Sequence, residues 1–102
     1  MSDANVPEDE VRAKLKSEVL PARWPELRYQ FARGALFFVR ATEDLLDVAE
    51  AIAKDQRARI EELLENGGLR RATDDDARAL EAAPDARLQF VIVQPWVVAQ
   101  IL

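Results

Sequence analysis

The first apolar residues of the chain follow a helical period. Val11, Leu15 and Val19 recur every four residues, which places them on one face of a helix. Three acidic residues follow Pro7 directly, and carboxylates stabilise the positive end of the helix dipole. Pro21 cannot continue the helix. We therefore predict a first helix between the two prolines.

A second, shorter helix leads into a buried strand. Pro25 suits a first helical position, Leu27 and Phe31 lie one turn apart, and Gly34 provides a C-terminal stop. Residues 35–39 are all apolar, which is typical of a strand that is covered on both faces. We expect this strand to be the central one of its sheet.

The segment 43–65 has two apolar helical faces. The first contains Leu45, Val48, Ala49 and Ile52, and the second contains Ile60, Leu63 and Leu64. The intervening residues 54–56 allow a turn, with Asp55 as a possible cap, but both faces also line up on one continuous helix. One helix and a helix-turn-helix are both left open.

Two further strands and one helix are predicted after this segment. Gly67 and Gly68 end the helical pattern, and residues 69–72 form a short basic strand. Thr73 and the three aspartates behind it are a helix start with a hydroxyl cap, and Pro84 ends that helix.

The last part of the chain is apolar. Residues 87–94 alternate as a strand does, and Pro95 interrupts them. Residues 96–102 are too apolar to be left in water, so they either add a strand or meet a partner, for which a symmetric dimer is the simplest solution.

Strand, helix, helix, glycine stop and basic strand over residues 34–73 resemble the core of a winged helix-turn-helix domain. We predict one α+β domain over residues 8–102, with a small three-stranded antiparallel sheet, four to five helices and a winged-helix-like order of elements. Residues 1–7 lack apolar periodicity and are predicted to be a disordered tail.

Composition narrows the classes of function. The 102 residues fit one domain, and the formal net charge of −5 argues against a surface for nucleic acid or anionic lipid. No apolar run reaches the roughly 18 residues of a membrane span, and the N-terminus lacks an apolar leader. We expect a cytoplasmic protein that does not bind membranes.

The chain offers little material for catalysis. Histidine and cysteine are absent, the only serines are Ser2 and Ser17, and three glycines make no phosphate loop. We predict no catalytic, cofactor or metal site and no enzyme activity. A carboxylate site at Asp44 and Asp47, three positions apart on one helical face, is the alternative. Asp74, Asp75 and Asp76 point in different directions and are better explained as a helix start.

The favoured function is a protein–protein interaction or adaptor module, with a protein partner or a homodimer and no small molecule. The candidate interaction residues are Trp24, Arg33, Asp44, Asp47 and Trp96. For each tryptophan a packing lid over the core is the favoured interpretation and an exposed anchor is the alternative, which the apolar segment that follows Trp96 supports more strongly there than at Trp24.

A winged-helix DNA-binding regulator is the other alternative. The would-be recognition segment 55–66 carries two arginines and four acidic residues, a net charge of −2, which is the wrong sign for DNA. Arg70 and Arg71 could contact phosphate from a wing or simply form a solvated strand edge.

The chain resembles a small bacterial family catalogued as domain of unknown function 2288. The resemblance covers about residues 15–100 and is carried by four motifs: Trp24-Pro25-Glu26-Leu27, Phe31-Ala32-Arg33-Gly34, Asp44-Leu45-Leu46-Asp47-Val48-Ala49 with Ala53 and Asp55, and Val93-Gln94-Pro95-Trp96-Val97-Val98-Ala99-Gln100. It implies a compact stand-alone cytoplasmic protein of proteobacteria and cyanobacteria, and it assigns no activity because the family has no assigned reaction. Gln94 departs from the more usual small residue.

Overall fold

The computed structural model describes the backbone of residues 6–102 and the side chains of residues 10–102. In chain order the elements are α1 (Val6–Glu18), β1 (Leu20–Ala22), α2 (Trp24–Ala32), β2 (Leu36–Val39), α3 (Leu45–Ala53), α4 (Arg57–Asn66), β3 (Leu69–Arg71), α5 (Asp74–Glu81), β4 (Leu88–Val93) and β5 (Trp96–Ile101). The α+β class is confirmed, with five helices among the described residues. Most of the predicted N-terminal tail, residues 1–5, lies outside the described residues, and α1 already includes Val6 and Pro7.

The strands form one mixed sheet in the order β1-β4-β5-β2-β3. Neighbouring strands are antiparallel except β2 and β5, which are parallel. The predicted three-stranded antiparallel sheet is therefore wrong, and the central strand is β5 rather than β2. The order strand, helix, helix, strand does occur as β2, α3, α4 and β3, but the sheet around it is not the one that the winged-helix-like prediction specified.

The apolar segment after Pro95 forms β5, the added strand that was one of the two alternatives for it but was not part of the predicted three-stranded sheet. Gln94 and Pro95, joined by a cis peptide bond, connect β4 to β5, and Val93 pairs with Trp96 across this turn. The chain therefore reverses between β4 and β5, which are antiparallel. The other unassigned strand, β1, is three residues long and contains Pro21, which is tolerated at the edge of a sheet.

The segment 43–65 forms two helices, which decides between the two arrangements left open. The turn between α3 and α4 contains Asp55 with a left-handed φ of 54°, a region that aspartate tolerates better than most residues. Asp44 caps α3, because its carboxylate accepts a hydrogen bond of 2.8 Å from the backbone nitrogen of Leu46. Gly67, with φ 81°, ends α4 as predicted.

Helices cover both faces of the sheet. On the face that we call the α3 face, α1, α3 and α4 bury a cluster that includes Leu15, Val48, Leu63, Val91 and Val98. On the opposite face, the α2 face, α2 and α5 bury a cluster that includes Trp24, Leu27, Leu80, Leu88 and Val97. Consecutive residues of β5 thus enter different cores, as the alternation of a strand requires.

Gln100 ties the central strand to the loop before α3. Its Nε2 donates hydrogen bonds to the carbonyl oxygens of Arg40 at 3.0 Å and Glu43 at 2.8 Å. Its Oε1 accepts one from Gln89 Nε2 at 2.9 Å. Because this amide is buried, its bonds fix the position of the loop against the sheet.

Candidate functional site

An apolar pocket of about 200 Å³ lies on the α3 face beside Trp96. The residues that line it are Phe37, Ile52, Ile60, Leu69 and Trp96. Strands β2, β3 and β5 supply three of these side chains, and helices α3 and α4 supply the two isoleucines. Since every lining side chain is apolar, this Trp96 pocket suits an apolar group.

Two aromatic rings of the pocket fix each other. The ring centres of Phe37 and Trp96 are 5.4 Å apart, and the ring planes meet at 83°. This edge-to-face arrangement is favourable beyond the area that it buries. Phe37 pairs with Val98 on β5, so Trp96, two residues earlier, lies on the same face. The backbone register of β2 and β5 therefore places both rings.

Arg71 lies on the other side of Phe37. It pairs with Phe37 across β2 and β3, and its guanidinium carbon is 4.9 Å from the ring centre. Its Nη1 donates a hydrogen bond to the carbonyl oxygen of Gly34. Gly34 has φ 74°, and a Cβ there would lie 3.3 Å from this nitrogen. A glycine at this position therefore accommodates both the left-handed backbone conformation and the close approach of the Arg71 guanidinium.

Trp24 belongs to the core of the α2 face. It is 2% exposed, its ring packs 5.8 Å from that of Phe31, and its Nε1 donates to Glu81 at 2.6 Å. Hydrogen bonds from Arg28, and then from this indole, lower the pKa of Glu81. Trp24 thus joins α2 to α5, and its ring is not presented at the surface.

Asp44 and Asp47 meet at the start of α3. The Asp44 carboxylate accepts from the backbone nitrogen of Asp47 at 3.3 Å, and the Asp47 carboxylate accepts from Arg12 at 2.8 Å. Arg12 also donates to Glu50 at 2.6 Å. The bonds from Arg12 tie α1 to α3, and both aspartates have structural partners. The Trp96 pocket lies at the other end of this helix, where Ile52 belongs to its last turn.

Arg33 follows the last residue of α2 and is exposed. Its guanidinium carbon lies 5.7 Å from the ring centre of Tyr29, and its Nη1 donates to Gln30 at 2.8 Å. Of the five predicted interaction residues, the structure thus brings the two aspartates into contact and separates the two tryptophans onto opposite faces of the sheet.

Arg70 differs from its neighbour Arg71. It lies on the α2 face, with its guanidinium carbon 5.7 Å from the ring centre of Phe38, and it donates to both carboxylate oxygens of Asp76 at 2.6 and 2.8 Å. Asp76 also accepts from Thr73, the cap of α5. Arg70 foremost, with Thr73, lowers the pKa of Asp76 from 3.8 to about 2.

Sequence reasoning found Trp96 but not the residues that share its pocket. The sequence pattern places Ile52 and Ile60 on helical core faces and Phe37 in a strand covered on both sides. One signal was available: because adjacent strand residues point to opposite faces, Phe37 and Phe38 must enter different cores.

A second, larger cleft of about 770 Å³ lies between α1 and β4. Its lining mixes the apolar Leu20, Phe90 and Ile92 with the charged Lys14 and Glu18. Strand β1 pairs with β4 only as far as Phe90, so the end of this β4 edge has no partner strand in the described structure. The lining is less uniform than that of the Trp96 pocket and selects less sharply for one kind of group.

Within the described part of the chain, no three histidine, cysteine, aspartate or glutamate side chains come close enough to hold a metal ion. Over the same residues, no helix has both the length and the apolar character needed to cross a membrane.

Fold and pocket together define a small α+β protein with an apolar surface site. The chain belongs to the family described as protein of unknown function (DUF2288), which it matches over residues 10–101. The family named from the sequence motifs is thus confirmed. The chain is also similar to the protein in the NMR solution structure of PA1075 from Pseudomonas aeruginosa, with 44% identity, coverage of 86% of this chain and 81% of that chain, and a TM-score of 0.77. The comparison with curated proteins finds no match.

Proposed function

We propose that the protein is a non-enzymatic interaction module that binds a partner protein through the Trp96 pocket. The observation that carries the proposal is the uniformly apolar lining of a pocket at the protein surface. An apolar cavity of about 150 Å³ can hold a benzene ring. A pocket of about 200 Å³ therefore has room for one aliphatic or aromatic side chain. Buried anchors of this kind carry most of the binding energy of many interfaces.

The carboxylate-enzyme alternative has less support. Asp44 caps α3, and Asp47 forms an ion pair with Arg12. Both contacts stabilise the fold, and they account for the two carboxylates without a substrate.

The DNA-binding alternative also has less support. Helix α4 carries two arginines against three glutamates, so it would bring excess negative charge to a phosphate backbone. Arg70 is already neutralised by Asp76. A protein partner is favoured by the negative net charge of the chain, by the excess negative charge on α4 and by the apolar lining of the pocket.

The proposal is tested by capturing partners from a lysate of the native host and then measuring the affinity of each purified partner by calorimetry. Three forms of the protein are compared: wild type, Ile60→Gln and Ile92→Gln. Ile60 lines the Trp96 pocket, whereas Ile92 lines the larger cleft and is 45% exposed. Both substitutions replace an isoleucine with the same amide, so each is the matched control of the other.

We expect Ile60→Gln to weaken binding about tenfold or more, as loss of an anchor contact does, and Ile92→Gln to leave the affinity unchanged. Thermal melting monitored by circular dichroism verifies that both variants are folded. A partner that binds Ile60→Gln as tightly as wild type contradicts the proposal, and one that is lost with Ile92→Gln assigns binding to the α1–β4 cleft.

A further inference from the structure

We infer that the partner presents an apolar side chain with a carboxylate beside it, the apolar group entering the Trp96 pocket and the carboxylate meeting Arg71. This inference rests on the proposed function and specifies the chemistry of the partner. It is carried by the position of Arg71 and by the charge left around it.

Most arginines of the protein already have an acidic partner. Eight of the eleven lie 3.7 Å or less from a carboxylate oxygen: Arg12, Arg23, Arg28, Arg40, Arg57, Arg59, Arg70 and Arg78. Arg71 has no such partner within the described part of the chain, although the protein has 19 acidic residues against 14 basic ones. Despite this excess of acidic residues, no carboxylate among the described residues pairs with Arg71.

The contrast with Arg70 shows that strand position alone does not explain this. Arg70 and Arg71 are consecutive on β3, and each stacks on a phenylalanine of β2. On the α2 face Asp76 neutralises Arg70 with two hydrogen bonds. On the α3 face Arg71 bonds to the neutral carbonyl of Gly34 instead. Of these two arginines, the one without a carboxylate partner among the described residues is therefore the one on the face that carries the Trp96 pocket.

Arg71 is held at the edge of that pocket. Its guanidinium stacks on the ring of Phe37, which is also a wall of the pocket. Nη1 is used for Gly34, which leaves other guanidinium N–H groups for an incoming acceptor. Carboxylates are the preferred acceptors, because charge-assisted bonds to arginine are short and directional.

An extended peptide segment is the simplest form of partner that offers both groups, since the guanidinium carbon of Arg71 lies 4.9 Å from the centre of a ring that lines the pocket. Residues that face the same side of an extended chain are separated by about 6.6 Å, twice the rise per residue. A carboxylate two residues from the apolar anchor would therefore face the same side as the anchor, and Arg71 and the pocket both contact the Phe37 ring that would lie between them.

The test is a selection of random heptapeptides on the full-length protein, which requires no knowledge of the natural partner. We expect the enriched peptides to contain an apolar residue with an aspartate or glutamate within two positions. A selected peptide and its twin, in which that acid is replaced by the corresponding amide, are then titrated against wild type, Arg71→Gln and Arg87→Gln. Arg87 is an exposed arginine that directly precedes β4, at the end of the strand away from Val93, which pairs with Trp96. It also has no carboxylate partner among the described residues.

On wild type, the exchange of acid for amide should weaken binding about fivefold, which is the upper range for an exposed ion pair. The same exchange should have no effect on Arg71→Gln and the full effect on Arg87→Gln. This double-mutant cycle separates the pairing from any change in stability that Arg71→Gln causes.

Two kinds of result would overturn the inference, and they differ in their consequence for the proposed function. Peptides that need Ile60 but show no preference for an acidic residue refute the role of Arg71 and leave the pocket as the binding site. The same conclusion follows if the exchange of acid for amide weakens binding to Arg71→Gln as much as it weakens binding to wild type. A selection without binders, or with peptides that bind Ile60→Gln as well as wild type, refutes both.

Discussion

Trp96 meets Phe37 edge to face, with ring centres 5.4 Å apart, although the two residues lie 59 positions apart in the chain. The contact exists because the last strand is inserted at the centre of the sheet, parallel to β2. The Trp96 pocket is therefore a product of the complete sheet, and the stability of the sheet and the shape of the pocket are linked.

Replacing Gln100 with leucine should lower the free energy of unfolding by about 2–4 kcal/mol, because two backbone carbonyls lose a buried donor. The carbonyls are those of Arg40 and Glu43. Urea denaturation of the variant measures the loss. Gln89→Leu is the control: it removes one bond at a partly buried position and should cost about 1 kcal/mol. Equal losses would mean that the Gln100 bonds do not anchor the loop.

Asp76 should make stability depend on pH in the acidic range. Its pKa in the folded protein is about 2, below the ordinary value of 3.8, mainly because of the bonds from Arg70. A lowered pKa means that the carboxylate adds stability above about pH 4 and that this stability is lost as the pH falls through about 2. The Arg70 side chain is 48% exposed, so solvent screening limits the contribution to about 1 kcal/mol.

The substitution Asp76→Asn tests this contribution. It should lower the free energy of unfolding by about 1 kcal/mol near neutral pH and by clearly less near pH 2. Asp75→Asn is the matched control in the same helical turn, where the side chain is 87% exposed. Its effect should stay within about 0.5 kcal/mol. A loss for Asp76→Asn that is the same at both pH values would contradict the assignment.

The sequence predicted local features well and distant pairings poorly. Thr73 and Gly67 mark a helix start and a helix end, because capping depends on a few neighbouring residues. The parallel pairing of Leu36 with Val97 joins residues far apart in the chain, and an apolar run shows that a strand is buried without showing beside which strand. Since that register decides which rings meet, Trp96 could be proposed as an anchor but its pocket could not.

The two tryptophans should differ sharply in their access to solvent. Trp24 is 2% exposed, whereas Trp96 is partly exposed. In Trp96→Phe the remaining indole should therefore fluoresce at short wavelength and resist quenching by acrylamide, and in Trp24→Phe it should be quenched readily. Trp24→Phe should also cost about 1–3 kcal/mol, because the bond to Glu81 and part of the buried ring area are lost. Equal quenching of both indoles would contradict either the burial of Trp24 or the partial exposure of Trp96.

The most direct test of the Trp96 pocket is an NMR titration of the ¹⁵N-labelled protein with a purified partner. The chain has two tryptophans, so the indole region contains two signals, one from each face of the sheet. The Trp96 indole signal should shift in a saturable manner while the Trp24 signal, bonded to Glu81, stays in place. The Ile60→Gln variant should show a clearly smaller shift at the same partner concentration. A partner that saturates the protein while the Trp96 signal stays unmoved would contradict the central claim.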